Sequence, residues 1–232
     1  PATQVGPWRI VELLGSGGMA HVYLAERADR QFEQQVALKL VRKNVALIDR
    51  LRHERQIVAT LRHPHIVSLV DGGETSEGDL WFAMAVVEGV EIDQYVKAQR
   101  LSWKARLQLF DAVCGAVEYA HGRALIHRDI KPSNVIVSEH HRVKLLDFGV
   151  AKYTRLPLFN ENADTSSLLQ TEVLKTQPGM VLGTFAYMSP EQALGKEVDG
   201  RSDLFSLGVM FYELLAGRLP FTGPSMPATI DA

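Results

Sequence analysis

Four side chains in one short region are of the right types to move a phosphoryl group. Residues Ile126 to Asn134 read IHRDIKPSN, and thirteen positions after Asn134 comes Asp147-Phe148-Gly149. Asp129 is a carboxylate that could take a proton, Lys131 a cation, Asn134 an amide and Asp147 a second carboxylate. Phosphoryl transfer asks for such a set: a base for the incoming hydroxyl, a cation for the moving charge, and hard oxygen ligands for Mg²⁺.

These residues need rigid elements to hold them. From Ser102 to Gly122 the sequence reads as one helix, with a serine N-cap, apolar Leu107, Phe110, Val113, Cys114 and Val117, and a closing glycine. Its role is to hold the loop that follows, because rigid elements position sites better than loops do. Asp147 ends a strand, VKLL. Further on, GRSDLFSLGVMFYELLAGRLPF is apolar around most of its circumference and reads as a buried helix stopped by Gly217 and Pro220. Asp203 near its start is a charge in a core element and requires partners. Between these, Lys152 to Val181 has little periodicity and six serine and threonine residues (Thr154, Thr165, Ser166, Ser167, Thr171 and Thr176), as a long loop would.

Upstream, WRIVELLGSGGMAHVYLAE alternates around a glycine turn and reads as strand, loop, strand. Gly15, Gly17 and Gly18 leave the backbone free to approach a phosphate. A strand follows where a dinucleotide fold would have a helix, and no Gly-Lys-Ser/Thr follows, so neither the Rossmann nor the Walker A pattern applies. The strand QVALKLV places Lys39 among apolar neighbours, which taken alone is no more than a solvated face. A polar helix is expected over Val45 to Leu61. The adjacent His140 and His141 lack the Cys or carboxylate neighbours of a metal site.

Bulk properties remove other classes. A chain of 232 residues can form one large domain or two lobes, and its apolar content is that of a globular protein. A net charge of −2 gives no global field to attract nucleic acid. The single cysteine, Cys114, excludes an intrachain disulfide and suits a reducing compartment. No apolar run is long enough to span a bilayer. The chain starts at Pro1 without methionine and reads as a piece of something longer.

Taken together, HRD-x-K-x-x-N followed by DFG resembles the eukaryotic-type serine/threonine protein kinases, and the phrasing GSGGMAHVYLAE and GTFAYMSPEQA is most similar to bacterial members. The resemblance implies roles residue by residue. Asp129 takes or orients the proton of the acceptor hydroxyl, Lys131 neutralises the γ-phosphate, and Asn134 and Asp147 are the metal ligands. Leu14, Gly15, Ser16, Gly17, Gly18 and Val22 belong to a glycine-rich loop over the nucleotide, with Ala20 in place of its third glycine. Lys39 holds the α- and β-phosphates and pairs with Glu54, while Ala37 and Met84 lie at the adenine pocket and Ile136 is a further nucleotide-binding position. Ala85 and Val87 offer main-chain groups to the base. His127 packs in an apolar stack with Phe148, Val58 and Leu69, and backbone amides of the catalytic loop satisfy Asp203. Lys131 and Gly183-Thr184 match members that act on serine and threonine, with Thr184 bonding both Asp129 and Lys131. Arg128 is placed to capture a phosphate on the loop that follows, and Thr176 is the leading phosphosite.

The expected fold is α+β and kinase-like in two lobes. About 1–88 would form a five-stranded antiparallel sheet with one helix, and about 89–232 a mostly helical lobe, with ATP between them. The resemblance implies further helices beyond this chain, one bearing an arginine for Glu191. The implied function is Mg²⁺-assisted transfer of the ATP γ-phosphate to serine or threonine of proteins, with Mn²⁺ able to replace Mg²⁺. Partners are protein substrates, ATP and, through autophosphorylation, the chain itself; neither nucleic acid nor membrane is among them, and the expected compartment is the cytoplasm. The rival class is a pseudokinase or nucleotide-binding scaffold that transfers nothing.

Overall fold

The computed structural model describes residues 4–16, 20–29, 33–42, 56–148 and 185–222. The chain divides into two compact units, Pro1–Glu88 and Gly89–Ala232. The first is built on a sheet and the second mainly on helices, which gives the α+β class expected.

In the first unit β1 (Gln4–Val5), β2 (Trp8–Ser16), β3 (Ala20–Arg27), β4 (Gln35–Val41), β5 (Leu69–Glu74) and β6 (Leu80–Ala85) form one antiparallel sheet in the order β1-β2-β3-β4-β6-β5. Five strands were expected, and the sixth is the two-residue β1, too short to show alternation. It exists because Gly6, at φ +54, reverses the chain so that Val5 pairs with Trp8. A Cβ at Gly6 would also come within 2.6 Å of the Trp81 ring.

Period-two alternation decides which side chains share a face. Val36 and Leu38 of β4 join Val5, Trp8, Ala25, Trp81 and Ala83 in a buried apolar cluster. Ala37 and Lys39 therefore lie on the opposite face of the same strand. Residues 56–60 are helical. They are the described end of the helix expected over Val45 to Leu61.

The second unit contains a small sheet, β7 (Val90–Glu91), β8 (Val135–Val137) and β9 (Val143–Leu145), in that order. Around it are α1 (Ile92–Ala98), α2 (Trp103–His121), α3 (Pro190–Ala193) and α4 (Gly200–Ala216), with a 3₁₀ turn at Pro132–Asn134. Gly89 opens the unit at φ +153, and a Cβ there would come within 2.4 Å of the Val137 carbonyl. Only glycine lets the chain run this close to β8.

Helix α2 begins as the sequence predicts, with Ser102 Oγ accepting from the Ala105 amide at 3.3 Å. Its end differs. Gly122 keeps helical backbone at φ −61, and the left-handed reversal falls on Ala124 at φ +57. Helix α4 stops at Gly217 in the left-handed conformation, φ +71. The two long helices pack through Phe110 stacked on Phe211, ring centres 4.3 Å apart. Arg106 donates to the Leu214 carbonyl at 2.8 Å, satisfying an acceptor that a helix end leaves without an intrahelical partner. Leu207, Val209, Met210 and Leu214 of α4 are buried, whereas Leu204, Tyr212 and Leu215 are exposed. The helix thus buries one side rather than its whole circumference.

Candidate active site

The β8–β9 hairpin fixes the chemistry-bearing residues of the second unit. Val135 pairs with Leu145, so the start of β8 lies beside the end of β9. Asn134 immediately precedes one strand and Asp147 closely follows the other, and both leave the hairpin at the same end. The Leu146 amide donates to the Asn134 carbonyl at 2.8 Å and locks that junction. Ahead of β8 the 3₁₀ turn folds the chain back, the Asn134 amide bonding to the Lys131 carbonyl at 3.0 Å.

This turn brings three of the named side chains together. Lys131 Nζ lies 3.2 Å from Asp129 Oδ2. Asn134 Nδ2 donates to the Asp129 carbonyl at 2.7 Å and to Asp129 Oδ2 at 3.2 Å. With its NH₂ so committed, Asn134 presents Oδ1 as the atom able to ligate a cation. An amide oxygen and a carboxylate are hard donors, too few for a complete cage, and suit Mg²⁺, which keeps several waters and borrows phosphate oxygens. Among the described residues no three His, Cys, Asp or Glu side chains gather into a metal cluster.

The backbone here is held in conformations it would not adopt freely. Arg128 has φ +66 and Asp147 φ +58. Each such residue costs about 1–3 kcal/mol and persists only where its surroundings over-determine it. For Arg128 the main restraint comes from α4. Asp203, fully buried, accepts the His127 amide at 2.8 Å and the Arg128 amide at 2.7 Å. The partners expected for this buried charge are in place, with one addition: His121 Nε2 lies 2.7 Å from Asp203 Oδ2.

His127 is wholly buried and packs edge-on against Phe148, ring centres 4.8 Å apart. Its Nε2 bonds the Leu146 carbonyl at 2.7 Å, while Nδ1 accepts from the Asp129 amide at 3.3 Å. Those bonds fix a neutral ring with the proton on Nε2. Burial lowers its pKa, against the opposing pull of Asp203 and the Leu146 carbonyl. The side chain packs and orients and is not placed as a base.

Helix α3 reaches the same loop from another direction. Ser189 caps it, Oγ accepting from the Gln192 amide at 3.3 Å while Gln192 Oε1 accepts from the Ser189 amide at 3.0 Å. Gln192 Nε2 then donates to the Arg128 carbonyl at 2.9 Å. Neighbouring Glu191 accepts from the Ser202 hydroxyl of α4. Burial opposes its charge, but the hydroxyls of Ser202 and Ser189 and its own backbone amide outweigh that, and the carboxyl sits below its ordinary range.

In the first unit the register aligns Val22 with Lys39 and Lys39 with Phe82, and Leu24 with Ala37 and Ala37 with Met84. Val22, Ala37, Lys39 and Met84 therefore share the sheet face opposite the tryptophan cluster. Lys39 is only 6% exposed. Gly15 faces Val22, with open space where a Cβ would stand. Leu14 and Ser16 are exposed, and Val87 is half-buried. Ala85 donates its amide to the Ser68 carbonyl at 3.0 Å. In the second unit Ile136 pairs with Glu91 and Lys144. Gly17, Gly18, Glu54, Thr184 and Thr176 lie outside the described residues.

Two residues around the Arg128–Asp129 segment carry bonds that the sequence reading does not single out. His121 gives no signal beyond being the last residue of its helix. Gln192 does give one, because Ser189-Pro190-Glu191-Gln192 has the S-x-x-Q spacing of a capping box. His141 is explained as well. Its Nδ1 lies 3.0 Å from the Tyr95 hydroxyl, with the two rings edge to face.

Comparison with known proteins agrees in kind. The sequence profile of the protein kinase domain matches residues 8–231. The serine/threonine-protein kinase PrkC of Bacillus subtilis is 37% identical over 95% of this chain and 32% of its own length. The serine/threonine-protein kinase PknB of Mycolicibacterium smegmatis is 37% identical over 94% of this chain and 34% of its own. The chain thus spans about a third of the length of the curated relatives it matches. A crystal structure of Rad53 1–466 in complex with AMP-PNP superposes with a TM-score of 0.73 at 24% identity, covering 97% of this chain and 52% of that one. That likeness bears on the fold alone.

Proposed function

The chain belongs to the protein kinase family, and from that premise we propose that it transfers the γ-phosphate of ATP to serine or threonine hydroxyls of proteins. The observation that carries the proposal is the Asp129–Lys131–Asn134 cluster, joined by the 2.8 Å Leu146–Asn134 bond to the residue before Asp147.

Each residue then has one task. Asp129 is assigned to orient the acceptor hydroxyl and take its proton as the new O–P bond forms and the bond to the leaving ADP oxygen breaks. Lys131, held beside Asp129, offers its ammonium to the charge on the transferring group. Asn134 Oδ1 and the Asp147 carboxylate would hold Mg²⁺, which would supply positive charge to offset that of the phosphates. Lys39 is assigned the α- and β-phosphates, as a buried ammonium on a strand whose other face is fully packed. The open space at Gly15 suits close approach by a phosphate, and with the Ala85 amide engaged by Ser68 an adenine contact there falls to its carbonyl. Little covalent work is asked of the protein, which mainly positions groups and neutralises charge.

Acceptor choice rests on Lys131 and on Thr184, whose pairing matches serine/threonine-directed members. The experiment is direct. The protein is incubated with ATP and an acceptor protein, with Mg²⁺ or with EDTA, and phosphosites are mapped by mass spectrometry. Phosphoserine and phosphothreonine that require Mg²⁺ are expected, on the acceptor and on the chain itself, Thr176 included. ATP binding with no transfer in the parent protein would make it a scaffold instead.

A further inference from the structure

The backbone just ahead of Asp129 is held from three sides. Asp203 takes the amides of His127 and Arg128. The next peptide plane, joining Arg128 to Asp129, is pinned at both ends. Its N–H meets His127 Nδ1 at 3.3 Å, and its carbonyl accepts from Gln192 Nε2 at 2.9 Å. The tilt of that plane sets the direction in which the Asp129 side chain leaves the backbone. Arg128, at φ +66, would relax toward negative φ if the plane were released.

Gln192 is better equipped than helix capping requires. A capping box needs an acceptor at the third helical position, and glutamate supplies one as well as glutamine does. What glutamine adds is a donor, and here that donor is spent on the Arg128 carbonyl, 64 residues away in sequence. The box in turn fixes the amide, since Oε1 is held by the Ser189 N–H.

We propose that Gln192 is a positioning residue for phosphoryl transfer: its side-chain NH₂, aimed by the α3 capping box, fixes the Arg128–Asp129 peptide plane and through it the Asp129 carboxylate. The inference rests on the reading of Asp129 as the group that receives the hydroxyl proton.

Two variants divide the motif. Gln192→Glu keeps the acceptor for the Ser189 amide, removes the donor and sets a carboxylate oxygen against the Arg128 carbonyl. Ser189→Ala removes the cap hydroxyl and leaves Gln192 Nε2 in place. Phosphorylation of casein is measured at saturating Mg²⁺ and ATP, with kcat expressed per nucleotide-binding site counted by titration with a non-hydrolysable ATP analogue. Gln192→Glu is expected to lower kcat by about tenfold or more with KM for ATP within about twofold, since small misplacements of a reacting group cost that much. Ser189→Ala is expected to lower Tm by a few degrees and keep kcat within about threefold.

Wild-type kcat per site in Gln192→Glu, or equal losses in both variants, overturns the inference. Should Gln192→Glu not fold, Gln192→Met set against Ser189→Ala makes the same comparison, because only methionine loses the donor; equal kcat per site then overturns it. A wild-type protein that transfers no phosphate refutes the reading of Asp129 and this inference with it. Wild-type transfer with an unimpaired Gln192→Glu refutes the inference alone.

Discussion

The Asp203 carboxylate accepts the Arg128 amide at 2.7 Å across 75 residues of chain. This bond ties helix α4 to the residue before Asp129 and restrains a backbone at φ +66. Asp203→Asn would set an NH₂ against one of the two amide donors and remove the charge that strengthens both bonds. Hydrogen bonds to a charged group contribute roughly 1.5–3 kcal/mol each, so a loss of about 2–3 kcal/mol is expected in urea unfolding. Transfer activity should fall beyond what the lost stability explains, because the loop it frees carries Asp129.

His127 predicts a pH dependence. Burial lowers its pKa in the folded protein, so below the ordinary histidine value of about 6.5 the unfolded chain binds a proton that the folded one refuses. The stabilisation is fully present above about pH 6.5 and is lost as the pH falls toward the folded value, with a slope approaching about 1.4 kcal/mol per pH unit. Urea unfolding between pH 5 and 8 reads it. His127→Phe, which keeps the packing against Phe148, should be the less stable protein at pH 8 and show a shallower decline on acidification.

The first unit offers a packing test remote from the chemistry. A Cβ at Gly73 would come within 2.5 Å of the Trp81 ring, and one at Gly6 within 2.6 Å. Trp81 belongs to the buried cluster and has no room to yield. Gly73→Ala should therefore destabilise the protein by about 1–3 kcal/mol, the usual cost of overpacking, as seen in thermal unfolding. Gly15→Ala, with nothing near its Cβ, should change stability far less.

What the sequence revealed and what it hid have physical reasons. Strands β2 to β4 and helix α2 show in the alternation and in the Ser102 cap because those signals are local. The face shared by Val22, Ala37, Lys39 and Met84 follows from period-two alternation once the register is known. The sixth strand escaped because two residues carry no period, and its cause, the Gly6 turn under Trp81, is a contact 75 residues away in sequence. Helix α4 is apolar around most of its circumference and so reads as buried, but hydropathy does not report which side is covered. The Asp203 amide partners came from resemblance alone. His121 carries no local signal, because one hydrogen bond to a distant carboxylate leaves no mark in composition or spacing; the capping-box spacing of Gln192 is legible, but its bond to the Arg128 carbonyl is not.

The most direct test compares Asp129→Asn and Asp147→Asn with the wild-type protein, reading nucleotide affinity and phosphate transfer on the same samples. Asp129→Asn should bind Mg²⁺–ATP as the wild type does and transfer phosphate at least about 10²-fold more slowly. Asp147→Asn should lose the gain in ATP affinity that Mg²⁺ confers, and lose transfer with it. Both variants transferring phosphate at the wild-type rate would contradict the assignment of the proton acceptor and of the metal ligand together.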